Sequence, residues 1–380
     1  MRKNKFSWLI STALMSSLVL AACGGGETEE SGSDSEDEGG SEGDNAEESE
    51  DEDTAEDTAE IEESYNWTFV TEENEGQMQY EYAEELADRL NEKSGGQITM
   101  DVFEFGQLGT EVDQVEQLQS GAVEFAIVSP GFTGTMVEEG QVFALQFLLP
   151  EDQEQVHELL NTSEALNEDL AALYEEEDIL PLSFFTEGFM QWTGSSKITE
   201  PADFDGFTMR TQDSPLIQKT YEEYGADPSV MSAGDLYTAL QNGTVDGQEN
   251  PIFFIADSSY HEVQDYMTIS NHNSYVAMTT VNPDFYNGLP ENVQSLIDET
   301  VDEMRDVGFD MQDELNSSLL SDIEDNDDTP TEVTELSSEQ REEFRELATP
   351  MRDFYRENAG DEAGAILDKL ETEIEEITGE

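Results

Sequence analysis

From Pro290 to about Asp325 the chain holds apolar residues at Val293, Ile297, Val301, Met304 and Val307, a helical spacing that runs on without a stop. A helix of that length outruns an ordinary lobe and is long enough to brace two. The rest of the chain agrees with two lobes. The 317 residues from 64 onward exceed what one hydrophobic core usually supports.

Ahead of that helix, strand and helix periods alternate. Asn66 to Val70 reads as extended, and Met78, Tyr82, Leu86 and Leu90 recur every four residues up to Gly95-Gly96. Ile98 to Phe105 alternates as a half-buried strand, Val112 to Leu118 predicts a short helix ending at Gly121, and Val123 to Val128 predicts a strand. Val156 to Tyr174 reads as one helix, with Ile179 to Phe185 and Phe207 to Arg210 extended. Alternation of this kind predicts an α/β fold with largely parallel sheets, whose ligands sit beyond the carboxyl ends of strands. Ser337 with Gln340 forms a capping box for a helix ending near Asn358, and Ala363 to Ile377 predicts a final amphipathic helix. The lobes are expected over residues 64–187 with 277–318, and 188–276 with 319–380.

The N-terminus addresses location. Arg2, Lys3 and Lys5 precede an apolar run from Phe6 to Leu20 and then Leu-Ala-Ala-Cys, which reads as a secretory signal over residues 1–23. That ending resembles the bacterial lipobox, so Cys23 is expected to be lipidated and to anchor the protein in the membrane. Cys23 is the single cysteine, which leaves no disulfide framework and no thiol nucleophile in the folded part. Residues 24–63 carry 20 acids and no Lys or Arg, a composition expected to remain a disordered tether.

Charge excludes some partners. The chain has 92 acids, 14 Lys plus Arg, and a net charge of −78. Setting aside the tether's 20 acids and the signal's three bases leaves 72 acids against 11 bases, a net −61. Nucleic acid and anionic membrane surfaces are therefore poor partners. A saline environment would make such repulsion tolerable, since about 1 M salt shortens the screening length to about 3 Å. Unfolding on transfer to dilute buffer is the expected signature.

Four stretches set unusual residues where strands or helices end: TEENEG (Thr71 to Gly76), SPGFTG (Ser129 to Gly134), FDGFTMRTQDSP (Phe204 to Pro215) and LQNGTVDGQENP (Leu240 to Pro251). In the last, Gly243 would stop a helix and Pro251 would hold Asn250 extended, fixing polar groups at the mouth of a cleft. Arg210 ends an extended apolar segment in a chain where arginine is scarce. A guanidinium there can grip a carboxylate through two parallel hydrogen bonds. The ordinary alternative is a salt bridge to one of the abundant acids.

FDGFTMR, followed by Asn250 in TVDGQENP, resembles the solute-binding subunit of tripartite ATP-independent periplasmic (TRAP) transporters. The family pattern joins a D-x-x-G-x-x-x-R segment, a G-x-x-D-G-x-E-N-P segment and a long helix linking two lobes. The likeness runs from about Asn66 to about Asn358. It implies a type II periplasmic-binding-protein-like fold, a carboxylate-bearing solute held by Arg210 with help from Asn250, and delivery to the small and large membrane subunits of a sodium-coupled permease. No cofactor or metal is implied. NWTFVTEENEG, FGQLGT, SPGFTG and NPDFYNGL are similar to the ectoine-binding branch of that family. By that likeness Glu73 faces the ligand's cationic ring and Phe132 stacks on it. Phe254 and Tyr275 then stand where that branch has tryptophan and phenylalanine. Ala233 falls where the branch has another tryptophan, and Met190 where many organic-acid binders have a second arginine.

One arginine with one carboxylate suits a zwitterion, with a monocarboxylic or keto acid as the alternative. An enzyme is disfavoured. His157, His261 and His272 lack metal-ligand spacing, and Ser129 lacks a nucleophile elbow. A sensing role in place of transport would use the same closure of lobes and stays open on sequence alone.

Overall fold

The protein is described from a computed structural model covering residues 61–326 and 331–379. The expected signal, Cys23 and the tether up to residue 60 lie outside the described residues. Ten strands form: β1 (Tyr65–Val70), β2 (Ile98–Phe103), β3 (Phe125–Val128), β4 (Leu180–Gly194), β5 (Thr208–Thr211), β6 (Asp227–Val230), β7 (Gly247–Pro251), β8 (Tyr266–Ile269), β9 (Ser274–Val281) and β10 (Glu332–Glu335). Their order is β2-β1-β3-β9-β4-β7-β5-β6, with β8 pairing β4 and β10.

The expectation of largely parallel sheets holds at the flanks and fails at the centre. β1 runs parallel to β2 and β3, β5 to β6 and β7, and β8 to β10. β9 and β4 run antiparallel to each other and to their other neighbours. Crossover helices keep successive strands parallel within a lobe. β4 and β9 instead carry the chain out of one half of the molecule and back into it, so they meet in opposite directions.

β4 divides the two halves. It pairs with β9 from Leu180 to Phe189 and with β7 from Met190 to Gly194. The register shifts just before the change of partner, between Thr186 and Gly188, and Gly188 has φ +105°. A Cβ on Gly188 would stand 2.5 Å from the side-chain nitrogen of Asn316, so the position needs glycine both for conformation and for space. Asn316 lies on the long helix, donates to the Glu187 carbonyl at 2.9 Å and accepts from the Phe253 N–H at 3.1 Å. One side chain thus fastens the helix to β4 and to the segment that follows β7.

The long helix spans Glu291–Glu324, 34 residues, or about 50 Å at 1.5 Å per residue. Val293, Ile297, Val301 and Met304 enter the core shared with Trp67, Phe69 and Phe125 of β1 and β3. Ile323, near the other end, joins a separate core with Leu236, Leu240 and Met267. Each fully buried apolar side chain contributes roughly 1.5–3 kcal/mol over its exposed state. Anchorage at both ends makes the helix the expected lobe-bridging element of a two-lobed α/β fold.

Two helices expected to be continuous are interrupted. The run from Val156 to Tyr174 divides at Ser163, which leaves helical geometry at ψ 119° after the helix Gln153–Thr162. The Ser163 hydroxyl accepts from the Leu166 N–H and donates to Glu373, so the break caps the next turn and docks the final helix. The helix begun by the Ser337–Gln340 capping box ends at Ala348, and Pro350 starts a second one, Met351–Asn358. The final helix, Ala363–Thr378, is as the periodicity predicts.

Candidate functional site

The TEENEG loop leaves the carboxyl end of β1 and turns into the helix Met78–Lys93. It buries two consecutive carboxylates, Glu72 and Glu73, at 5% and 3% exposure. Opposite them, β5 carries Arg210 and β7 carries Asn250. Gly247 lets β7 close on β4, because a Cβ there would lie 2.3 Å from the Thr193 carbonyl. Asp246, just before it, accepts from the Thr208 N–H at 2.8 Å and so ties β7 to β5. The glycine and aspartate of the TVDGQENP segment are therefore framework, and Asn250 is what the framework presents.

All six residues expected at the site line one cavity of about 330 Å³: Glu73, Phe132, Arg210, Asn250, Phe254 and Tyr275. Phe132 comes from the turn Pro130–Thr133 after β3, Phe254 from the helix Ile252–Asp257 and Tyr275 from the start of β9. Ala233 also lines the cavity, at the position where the resemblance to the ectoine-binding branch implies a tryptophan. Met190 does not. It lines an adjoining cavity of about 470 Å³ that shares Tyr275 and Gln212 with the first.

Arg210 escapes the ordinary fate of a buried arginine. The described residues hold eleven Lys and Arg, and ten of them pair with an Asp or Glu within 4 Å. Arg210, at 3% exposure, is the exception among them. Its Nε donates to the Met231 carbonyl at 3.0 Å, which fixes the plane of the guanidinium, while Nη2 has no hydrogen-bond partner. A buried, oriented and unsatisfied cationic donor is costly unless something fills it. Asn250 stands beside it with its amide nitrogen donating to Gln248.

The remaining wall is more acidic than the sequence suggested. Glu187 and Glu111 line the same cavity, as do Glu72, Gln79 and Gln212. Gln79 organises three of the acids. Its Nε2 donates to Glu187 at 2.8 Å, its Oε1 accepts from the Glu72 N–H at 3.0 Å, and its own N–H donates to Glu73 at 2.7 Å. Glu72 also accepts from the Ser129 N–H at 3.1 Å and from the Ser129 hydroxyl. Ser129 in turn accepts from the Tyr275 hydroxyl at 2.8 Å, and Tyr275 accepts from Gln212 at 3.2 Å. Glu111 accepts from the Ser232 hydroxyl at 2.7 Å and the Ala233 N–H at 3.0 Å. Burial pushes Glu72 and Glu73 up to about 8, only partly offset by these hydrogen bonds. Glu187 is raised well above the carboxylate range by burial and then by the neighbouring charge of Glu73.

Sequence reasoning passed over Glu72, Glu187, Gln79, Glu111 and Gln212. Gln79 left a legible signal, a polar residue beside the apolar stripe of Met78 and Tyr82. In a chain with 92 acids, Glu72, Glu111 and Glu187 do not stand out.

A cavity between two sheet halves, lined by aromatic rings and holding one guanidinium without a carboxylate partner, suits the binding of a small charged solute. The chain belongs to bacterial extracellular solute-binding protein family 7, whose model matches residues 69–358, and is a solute-binding protein of the TRAP type. It is 34% identical over 317 residues to the ectoine-binding periplasmic protein TeaA of Halomonas elongata, covering 83% of this chain and 92% of that one. The solved structure of that protein superposes with a TM-score of 0.79 over 82% of this chain and all of the other. UehA of Ruegeria pomeroyi, an ectoine/5-hydroxyectoine-binding protein, is 32% identical over 81% of this chain and 90% of its own. The C4-dicarboxylate-binding protein DctP of Rhodobacter capsulatus is also 32% identical, over 75% of this chain and 83% of its own. Proteins of this class work outside the cytoplasm, binding a small solute for small and large membrane subunits, and are not enzymes. Among the described residues no helix is long and apolar enough to cross a membrane.

Proposed function

We propose that the protein captures a small zwitterion of the ectoine type and delivers it to a sodium-coupled permease. The ligand's carboxylate meets Arg210 and Asn250. Its delocalised cation faces Glu73 between Phe132, Phe254 and Tyr275. The observation that carries this reading is Arg210, a buried guanidinium without a carboxylate partner in a cavity otherwise rich in carboxylates.

Charge-assisted hydrogen bonds contribute about 1.5–3 kcal/mol each, and aromatic faces around a cation about 0.5–2 kcal/mol each. Micromolar binding needs about 8 kcal/mol in total, which such a set can reach. Two relatives bearing the name of ectoine support the choice of ligand. The dicarboxylate-binding relative keeps a monocarboxylic or keto acid as the second reading. A dianion fits less well, because only one guanidinium lines the cavity against four glutamates.

The same proposal has lobes at 64–187 with 277–318 and 188–276 with 319–380 closing on the solute, a division supported by the change of partner along β4. It also has Cys23 lipidated and the acidic segment 24–63 acting as tether, supported by Leu-Ala-Ala-Cys and by the composition. A thermal-shift screen with ectoine, hydroxyectoine, betaine and common organic acids tests the ligand class, since a ligand selective for the folded state raises Tm. A shift with ectoine or hydroxyectoine is expected. A shift confined to organic acids would select the second reading.

A further inference from the structure

The cavity holds more acid than Arg210 can offset. Glu72, Glu73 and Glu187 are 5%, 3% and 1% exposed, and none has a Lys or Arg within 4 Å among the described residues. Glu72 is the best satisfied, with the hydroxyl and the backbone N–H of Ser129 on its carboxylate and its own main chain fixed through Gln79. Glu73 and Glu187 are bridged by the single residue Gln79, which gives its N–H to one and its side-chain amide to the other. Two buried carboxylates bridged by one glutamine resist ionising together unless a cation joins them. The other charged or titratable groups around them are Glu72 beside Glu73, Glu111 from the helix Glu111–Gln119, Asp257 from the helix Ile252–Asp257, Tyr275 from β9 and Arg210 from β5. Only Arg210 is cationic, and its unfilled Nη2 is a second, independent mark of a ligand position in the same space.

We propose that Glu187 is a ligand-selecting residue and that Glu73 and Glu187 share one proton, which leaves for solvent when the ligand's cation takes its place. This rests on the zwitterion reading and deepens it: capture becomes proton-linked. The balance is simple. Protein holding the proton plus ligand gives the complex plus one free proton, and no bond other than O–H is broken. The raised carboxyls of Glu73 and Glu187 agree with this, since both favour the protonated form in the absence of a nearby cation. The sign follows. A cation lowers the pair's affinity for its proton, so ligand affinity climbs with pH, by up to about tenfold per unit, until the free protein has lost the proton as well. An acid anion without a cationic part behaves oppositely, binding better when the pair keeps its proton. The pair is thus a filter that admits zwitterions at neutral to mildly alkaline pH.

Titration calorimetry of the full chain with ectoine, in phosphate and in Tris at pH 7, counts the protons released. The wild type is expected to release up to about one proton, and Glu187→Gln much less, because the substituted amide keeps a polar contact for Gln79 but cannot hold a shared proton. Equal buffer-independent heats in the wild type, or the same release from both proteins, would overturn the proposal. If ectoine does not bind, the ligand assignment fails, and carboxyl NMR titration of the ligand-free protein decides the proton. A carboxyl titrating well above the usual range, and displaced downward in Glu187→Gln, sustains sharing. Its absence removes the proposal whatever the ligand is.

Discussion

Glu249 and Glu73 both line cavities at the junction of the sheet halves, and both are nearly inaccessible to solvent. Their surroundings differ. Glu249 accepts from the Tyr221 hydroxyl and from Nε2 of His272 at 2.6 Å, while Nδ1 of His272 lies 2.7 Å from the Ser270 hydroxyl. Each ring nitrogen thus has a polar partner, a carboxylate on one side and a hydroxyl on the other. Trp192 stacks on the imidazole with centroids 4.6 Å apart and donates its indole N–H to Tyr221 at 2.8 Å. Each side chain in that set has a polar partner within the protein. Around Glu73, Gln79 answers part of the demand, and no Lys or Arg among the described residues pairs with the carboxylate. Closed polar networks hold a fold together, and open ones hold a place for something else.

Single substitutions can break the contrast. The largest effect is expected from Arg210→Ala, which removes up to two charge-assisted bonds and lowers affinity for ectoine by about a hundredfold or more. Calorimetry reads the loss, and unfolding of the ligand-free variant should be no easier than that of the wild type. His272→Leu inverts the pattern. It strips a buried carboxylate of a donor and is expected to cost roughly 1–3 kcal/mol in urea denaturation, with binding by the folded protein retained.

Acidity sharpens the contrast next. Glu72, Glu73 and Glu187 have raised folded-state values, so the folded protein binds more protons than the unfolded chain. Their contribution to stability is fully present below the unfolded carboxyl range near 4.3 and is lost as pH rises through about 8. Glu187→Gln should therefore raise the ligand-free Tm at pH 8, by about 2–4 °C for each kcal/mol relieved, and do so far less at pH 5. The smallest expected change comes from Ala233→Trp. A further aromatic face on a cationic ring is worth about 0.5–2 kcal/mol, so ectoine affinity should rise a few-fold by calorimetry.

The architecture was largely legible because it rests on periodicity. The long helix, the strand–helix alternation and the capping box at Ser337 each follow from spacing that only one local structure satisfies. The central antiparallel strands were not legible. β4 reads as ending near Phe185, and only the pairing across the two halves shows it running on to Gly194. The helix break at Ser163 was likewise hidden, because its cause is Glu373, some two hundred residues away. At the site, scarcity made Arg210 visible and abundance hid Glu187. An arginine in a chain this acidic invites a question, whereas one more glutamate does not.

Everything at this site turns on the guanidinium of Arg210 being kept free for a solute carboxylate. A crystal structure with the solute that gives the largest thermal shift tests it directly. The ligand carboxylate is expected on Arg210 with N···O distances of about 2.7–2.9 Å and the cationic part turned towards Glu73 and Glu187. A bound solute with its carboxylate elsewhere, and Arg210 paired to a protein carboxylate, would contradict it.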